Sequence, residues 1–218
     1  MVRRATAADL PALARALARA FQDDPIARWS CAPDALRPSL LERFYAIRLR
    51  QLLRHDEVWM AAGDGADGTG RGADGADAGS ADADAAALGG ALWLPPEEWR
   101  TSVREDAQLA RVLLHPRLLP RFPLVVHGFT GIERRHPVTP PHWYLAVLGT
   151  DPAAQGRGIG SALLAPVLQR CDEDGLGAYL ESSKEENIAF YARHGFRVTD
   201  VVRLPRGPRA WLMWREPR

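Results

Sequence analysis

Cysteine is nearly absent from the 218 residues: Cys31 and Cys171 are too few for a disulfide framework. Neither lies in a Cys/His spacing of the kind that holds zinc, so no metal is expected. Long apolar runs are missing as well. Nothing approaches the roughly 20 residues needed to span a bilayer, and Met1 to Thr6 runs into an amphipathic pattern without an apolar signal core. Charge of one sign is not in excess: 28 Lys and Arg against 27 Asp and Glu leave a net charge of +1. No whole-protein field therefore recommends nucleic acid or an acidic membrane as partner. What is present is an ordinary globular composition, 46% hydrophobic and 25% charged, in a chain long enough for one α/β domain with its own core. A cytoplasmic protein, monomeric or homodimeric, is the expectation.

Periodicity supplies the elements. A short strand at 2–4 leads to Thr6 and Asp9, spaced as a capping box, then to Leu10, Leu13, Leu17 and Phe21 at helical spacing over about four turns. A second helix is predicted over 36–53, with strands at 58–62 and 88–94. Between those strands, 63–87 is almost wholly Gly, Ala and Asp, too poor in apolar surface to offset its ordering entropy. It is expected to be a flexible hairpin insertion. Pro95-Pro96-Glu97-Glu98 predicts a helix start running through Trp99, followed by helices at 105–119 and 124–131. An apolar, aromatic strand at 142–148 reads as central. A helix at 158–174, a strand at 178–182, a helix at 187–194 and strands at 196–202 and 209–214 complete a mixed α/β order around one sheet.

The densest signal follows the strand at 142–148. Gly156, Gly158 and Gly160 allow close approach and unusual dihedrals at a helix start, where free N–H groups and the helix dipole favour an anion. Gln155 precedes them, Ile159 and Ser161 complete the turn, and Arg157 adds a side-chain charge. A dinucleotide loop calls for glycine or alanine where Ser161 stands. A Walker loop calls for Lys-Ser/Thr after the last glycine, where Ser161-Ala162 stands instead. Neither nucleotide pattern fits.

Gln155-Gly-Arg-Gly-Ile-Gly160 resembles the Gln/Arg-x-x-Gly-x-Gly/Ala signature of the GNAT superfamily of acetyltransferases. Phe190-Tyr-Ala-Arg-His-Gly-Phe196 is similar to the family's downstream tyrosine-to-Gly-Phe segment. Leu180-Glu-Ser-Ser183, Asn187-Ile-Ala-Phe-Tyr191, Pro208 to Met213 and Val2 to Pro11 resemble the puromycin N-acetyltransferase branch. The resemblance implies a GNAT fold over residues 1–218: a single domain with a mixed, mostly antiparallel, splayed sheet flanked by helices. It also implies acetyl-CoA as co-substrate and a small-molecule amine as acceptor, acetylated by direct attack in a ternary complex. Protein or peptide acetylation and a non-catalytic acyl-CoA-binding module are the rival readings.

Carried onto these residues, the resemblance puts the CoA pyrophosphate on the 155–161 loop and the pantetheine arm along Leu148, Gly149 and Thr150. A backbone N–H near Leu148 would serve as oxyanion donor. Tyr191 would protonate the departing thiolate, a reference phenol near pKa 10 facing a thiol near 8.5. Glu181, at a strand end, would take the amine's proton or bind the cationic amine. Asn187 would contact CoA or cap the helix it begins. Trp93, Trp99, His127, His136 and His142 are acceptor-pocket candidates without a catalytic role, and Arg3 and Arg4 read as solvated surface.

Overall fold

A computed structural model describes residues 1–31, 33–63 and 86–218. Seven strands form one sheet in the order β1-β2-β3-β4-β5-β7-β6. They are β1 (Val2–Arg4), β2 (Val58–Ala62), β3 (Ala87–Leu94), β4 (His142–Thr150), β5 (Gly177–Ser182), β6 (Arg197–Arg203) and β7 (Arg209–Arg215). Every neighbouring pair is antiparallel except β4 with β5. The helices are α1 (Leu10–Ala20), α2 (Pro25–Ser30), α3 (Arg37–Leu52), α4 (Val103–Leu113), α5 (Phe122–Glu133), α6 (Ile159–Glu173) and α7 (Asn187–Arg193). No described helix is long and apolar enough to cross a membrane.

Two apolar layers sandwich the sheet. On one face Leu13, Leu17, Leu49 and Leu52 of α1 and α3 pack with Met60 and Leu92. On the other, Leu163, Leu164 and Val167 of α6 pack with Trp93, Leu145, Leu180 and Met213. Trp93 is therefore core, with no exposed surface.

Several predicted boundaries are corrected. The first helix is three turns rather than four, because the chain enters through a 3-10 turn at Ala7–Asp9. There the Asp9 carboxylate accepts the Thr6 N–H at 2.7 Å and the Thr6 hydroxyl at 2.8 Å. Residues 95–99 form a turn rather than a helix: Glu97 has φ 71°, outside the helical region. The helix predicted to reach 119 ends at Leu113, shortly before Pro116. Helix α2 is additional, started by Asp24, which accepts the N–H groups of Ile26 and Ala27 at 2.9 Å each. Arg3 and Arg4 are not merely solvated, since they pair with Asp9 and Glu57. Of the segment expected to be a flexible hairpin insertion, 63–87, residues 64–85 lie outside the described residues; at its ends the Gly63 N–H donates to Ala86 O at 3.0 Å.

Candidate active site

The two central strands part company half way along. Strands β4 and β5 pair only from His142↔Gly177 to Leu145↔Leu180. Beyond Leu145, β4 keeps β3 alone as neighbour; beyond Leu180, β5 keeps β7 alone. A bulge marks the divergence: Val147 pairs Leu92 and Leu145 pairs Trp93, leaving Ala146 as the extra residue that re-aims β4. Leu148, Gly149 and Thr150 thus lie on the strand edge that faces the gap. Glu181 is the first residue of β5 past the last β4 partner, at the apex of that gap.

The loop leaving β4 is tied down locally. The Asp151 carboxylate accepts the Ala153 N–H at 3.0 Å and the Arg19 guanidinium at 2.6 Å. The Gln155 amide donates to Thr150 O at 3.2 Å. Gly156 and Gly158 have φ 75° and 76°, and a Cβ built on either would meet no atom within 4 Å. These glycines answer to backbone conformation and to open space, not to a packed neighbour. Gly160 differs, since its Cβ would lie 3.1 Å from the Phe190 ring. So does Gly149, whose Cβ would meet Phe21 at 2.8 Å. Gly158 holds the N-cap of α6 without a side chain to satisfy the first N–H groups of the helix. A cavity of about 400 Å³ opens at this point, lined by Arg157, Gly158 and Ile159 and, opposite, by Met1, Ala62 and Leu88. The residues fit an anionic carrier: donors, a left-handed cradle and room.

Ser161 spends its hydroxyl on His194, 3.0 Å from Nε2. Asn187 does not cap α7: it is the first helical residue, and Glu186 holds the N-cap. Tyr191 is buried between Phe190 and Phe196, at centroid distances of 5.1 and 5.9 Å. Burial first, then the Asp24 carboxylate, hold its phenol above the ordinary range. Asp24 also accepts the Ser183 hydroxyl, which ties the start of α2 to the end of β5.

Around Glu181 the structure assembles side chains that the sequence scatters. The Tyr144 hydroxyl donates to Glu181 Oε2 at 2.7 Å. His136 Nδ1 stands 3.6 Å from Glu181 Oε1, and its ring stacks on Trp99 at 3.9 Å and 16°. His142 Nε2 lies 3.1 Å from His136 Nε2. Burial and the Glu181 charge push the Tyr144 hydroxyl far up, so it stays a donor. His127, by contrast, is exposed on α5. Sequence reasoning missed Tyr144 and Asp24. Strand alternation could have found the first, since His142 and Tyr144 share a face of β4 as Tyr179 and Glu181 share one of β5. The Asp-Pro step, a cap followed by proline at the first helical position, could have found the second. Among the described residues no cluster of three or more His, Cys, Asp or Glu could hold a metal ion.

Comparison with known proteins bears on the fold. The acetyltransferase (GNAT) family model matches residues 94–196, from the end of β3 through α7 to Phe196. An uncharacterized N-acetyltransferase of Schizosaccharomyces pombe is 38% identical over 64 residues, 29% of this chain and 26% of that protein. The chain spans about a quarter or less of the length of the curated relatives it matches. Whole-chain similarity is structural. A Corynebacterium glutamicum protein described as histone acetyltransferase HPA2 and related acetyltransferase superposes with TM-score 0.63 at 23% identity, covering 100% of this chain and 96% of that one. The PaiA N-acetyltransferase of Thermoplasma acidophilum, solved with coenzyme A, gives 0.56 at 12% identity over 99% and 98%. The chain has the GNAT fold, a mixed seven-stranded sheet flanked by helices.

Proposed function

We propose that this chain is an acetyl-CoA-dependent N-acetyltransferase, working as one domain, that moves an acetyl group to a primary amine of a small molecule by direct attack in a ternary complex. The observation that carries the reading is the pair of left-handed glycines, Gly156 and Gly158, at an uncapped helix start beside the gap between β4 and β5. A pyrophosphate suits that cradle, with Gln155, Arg157, Ile159, Gly160 and Ser161 around it. The free edge of Leu148, Gly149 and Thr150 suits an arm bearing amide groups, which can add to a sheet like a strand. Asn187, released from capping, is available to the carrier.

In this reading Tyr191 protonates the leaving thiolate. Its raised pKa keeps the hydroxyl protonated throughout the working range, and no described residue accepts a hydrogen bond from it. Glu181 receives the amine's proton. The aromatic walls around it, Trp99, Tyr144 and Tyr179, favour a compact amine over a protein terminus. Within the family, the Leu180 to Ser183 and Asn187 to Tyr191 segments support the puromycin N-acetyltransferase branch.

Two measurements test the proposal. Saturating acetyl-CoA should raise the melting temperature, because a ligand at about 100 times its Kd stabilises by about 2.7 kcal/mol. A thiol-release screen over polyamines, aminonucleosides including puromycin, amino-acid derivatives and peptide N-termini should find a small amine turned over. No thermal shift would refute the acetyl-CoA assignment, and turnover confined to peptides would refute the acceptor class.

A further inference from the structure

Hydrogen-bond tautomers can be read along the chain that ends at Glu181. The Pro140 carbonyl lies 2.8 Å from His142 Nδ1, and a carbonyl can only accept, so that nitrogen carries the proton. In the neutral ring His142 Nε2 is then a bare lone pair. Its partner at 3.1 Å, His136 Nε2, must donate to it. Neutral His136 is thereby left with a bare Nδ1, and that nitrogen is the one facing the Glu181 carboxylate at 3.6 Å. Two acceptors confront each other across a gap that one proton would close. One backbone carbonyl, acting through two imidazoles, fixes a proton vacancy beside the acid.

Amine acetylation gives such a vacancy a use. An ammonium acceptor must lose one proton before it can attack, and the nitrogen must lose a second as the amide forms. A lone carboxylate holds one. We propose that His136 is the second proton store of the acceptor site and that His142 is the positioning residue that sets its tautomer. This rests on the reading of Glu181 as proton acceptor. The first N–H bond of the ammonium breaks as an O–H bond forms on Glu181. That O–H breaks as an N–H bond forms at His136 Nδ1, leaving imidazolium beside a regenerated carboxylate. Glu181 then accepts the second proton; once the product departs both pass to water, and water returns one proton to Tyr191, which gave its own to the thiolate. The stacked Trp99 ring offers a π face to the imidazolium. Burial lowers the His142 pKa and outweighs the Pro140 hydrogen bond and the Glu181 charge, which act the other way; this favours the neutral ring that the tautomer argument requires. The other titratable or charged groups around the pair are Tyr144 of β4 and Tyr179 of β5, with Glu133 of α5 and Arg48 of α3 acting on Tyr144.

Imidazole 15N spectra of the full chain labelled at its six histidines, assigned with His136→Asn and His142→Asn, test the tautomers without any amine. At neutral pH His142 should be in the Nδ1–H form and His136 in the Nε2–H form. An Nε2–H form at His142 would overturn the proposal. Kinetics with a primary amine that the wild type turns over test the store. On the acid side log kcat should fall with a slope approaching two in the wild type and one in His136→Asn. That variant should also lose about 10- to 100-fold in kcat, with unchanged KM for acetyl-CoA. Wild-type kcat and slope in His136→Asn would overturn the store while leaving the role of Glu181 intact. Wild-type kcat in Glu181→Gln would instead overturn the reading on which the store rests.

Discussion

The two sides of the β4–β5 gap are built by opposite means. The side proposed for the donor is one unbroken stretch, 148–161, whose shape comes from backbone dihedrals and two short side-chain ties, at Asp151 and Gln155. The side proposed for the acceptor draws Trp99 from a turn, His136 from the loop after α5, His142 and Tyr144 from β4, and Tyr179 and Glu181 from β5. An anion can be held by local N–H groups, so its site can be written in a dozen consecutive residues. A carboxylate that handles protons needs defined partners in a low-dielectric surround, and only tertiary structure brings those together.

Damage to the acceptor side should therefore abolish turnover and spare carrier binding. Glu181→Gln keeps the Tyr144 hydrogen bond but removes the proton acceptor. Its kcat should fall about 100- to 1,000-fold, with acetyl-CoA Kd, measured by calorimetry, within about twofold of wild type. A large change in Kd would mean that the two sides are not separable. Tyr191→Phe should cost less, about 10- to 100-fold in kcat, because water can still protonate a thiolate. The raised phenol also makes a pH prediction: kcat should show no alkaline loss assignable to Tyr191 at or below pH 10, its ordinary titration range. An alkaline limb below that, present in wild type and absent in Tyr191→Phe, would contradict the burial argument.

The same contrast explains what could be read in the chain before folding. Strand β2, helix α3 and the elements from β4 onward follow local periodicity and land within a residue or two of expectation. The glycine loop was legible for the same reason, since its conformational demand is carried by the residues that meet it. The turn at 95–99 was not: two prolines and two acids favour a helix start, yet Glu97 adopts a left-handed backbone that no composition rule announces. His136 was visible as a candidate but not as a partner, because its meaning depends on Pro140, His142 and Glu181, up to 45 residues away. Asp24 lies 159 residues from Ser183, and nothing local records that contact.

On the donor side, two glycines of one motif should separate. Gly158→Ala forces a β-carbon into the left-handed region, which costs about 1–2 kcal/mol. Acetyl-CoA Kd should rise about tenfold if the loop relaxes, or stability should fall by the same energy if it does not. Gly160→Ala asks only that the Phe190 ring give a few tenths of an ångström from its 3.1 Å contact, and it gains helix propensity. Kd and melting temperature should barely move. Equal effects at both positions would mean that the motif is a packing turn rather than a cradle.

The smallest expected effect is the most local probe of the acceptor side. Trp99 meets the site through its stack on His136 and lies in the turn where the sequence predicted a helix. Trp99→Leu removes an aromatic pair worth about 0.5–1.5 kcal/mol beyond simple burial. Trp99 is partly buried, so the fold should lose some stability as well. The amine side should feel the change, with kcat/KM for the acceptor falling about two- to tenfold while acetyl-CoA Kd stays fixed. If kcat/KM holds and only the melting temperature drops, the stack is a structural contact, and the acceptor side shrinks to the side chains of β4, β5 and the loop bearing His136.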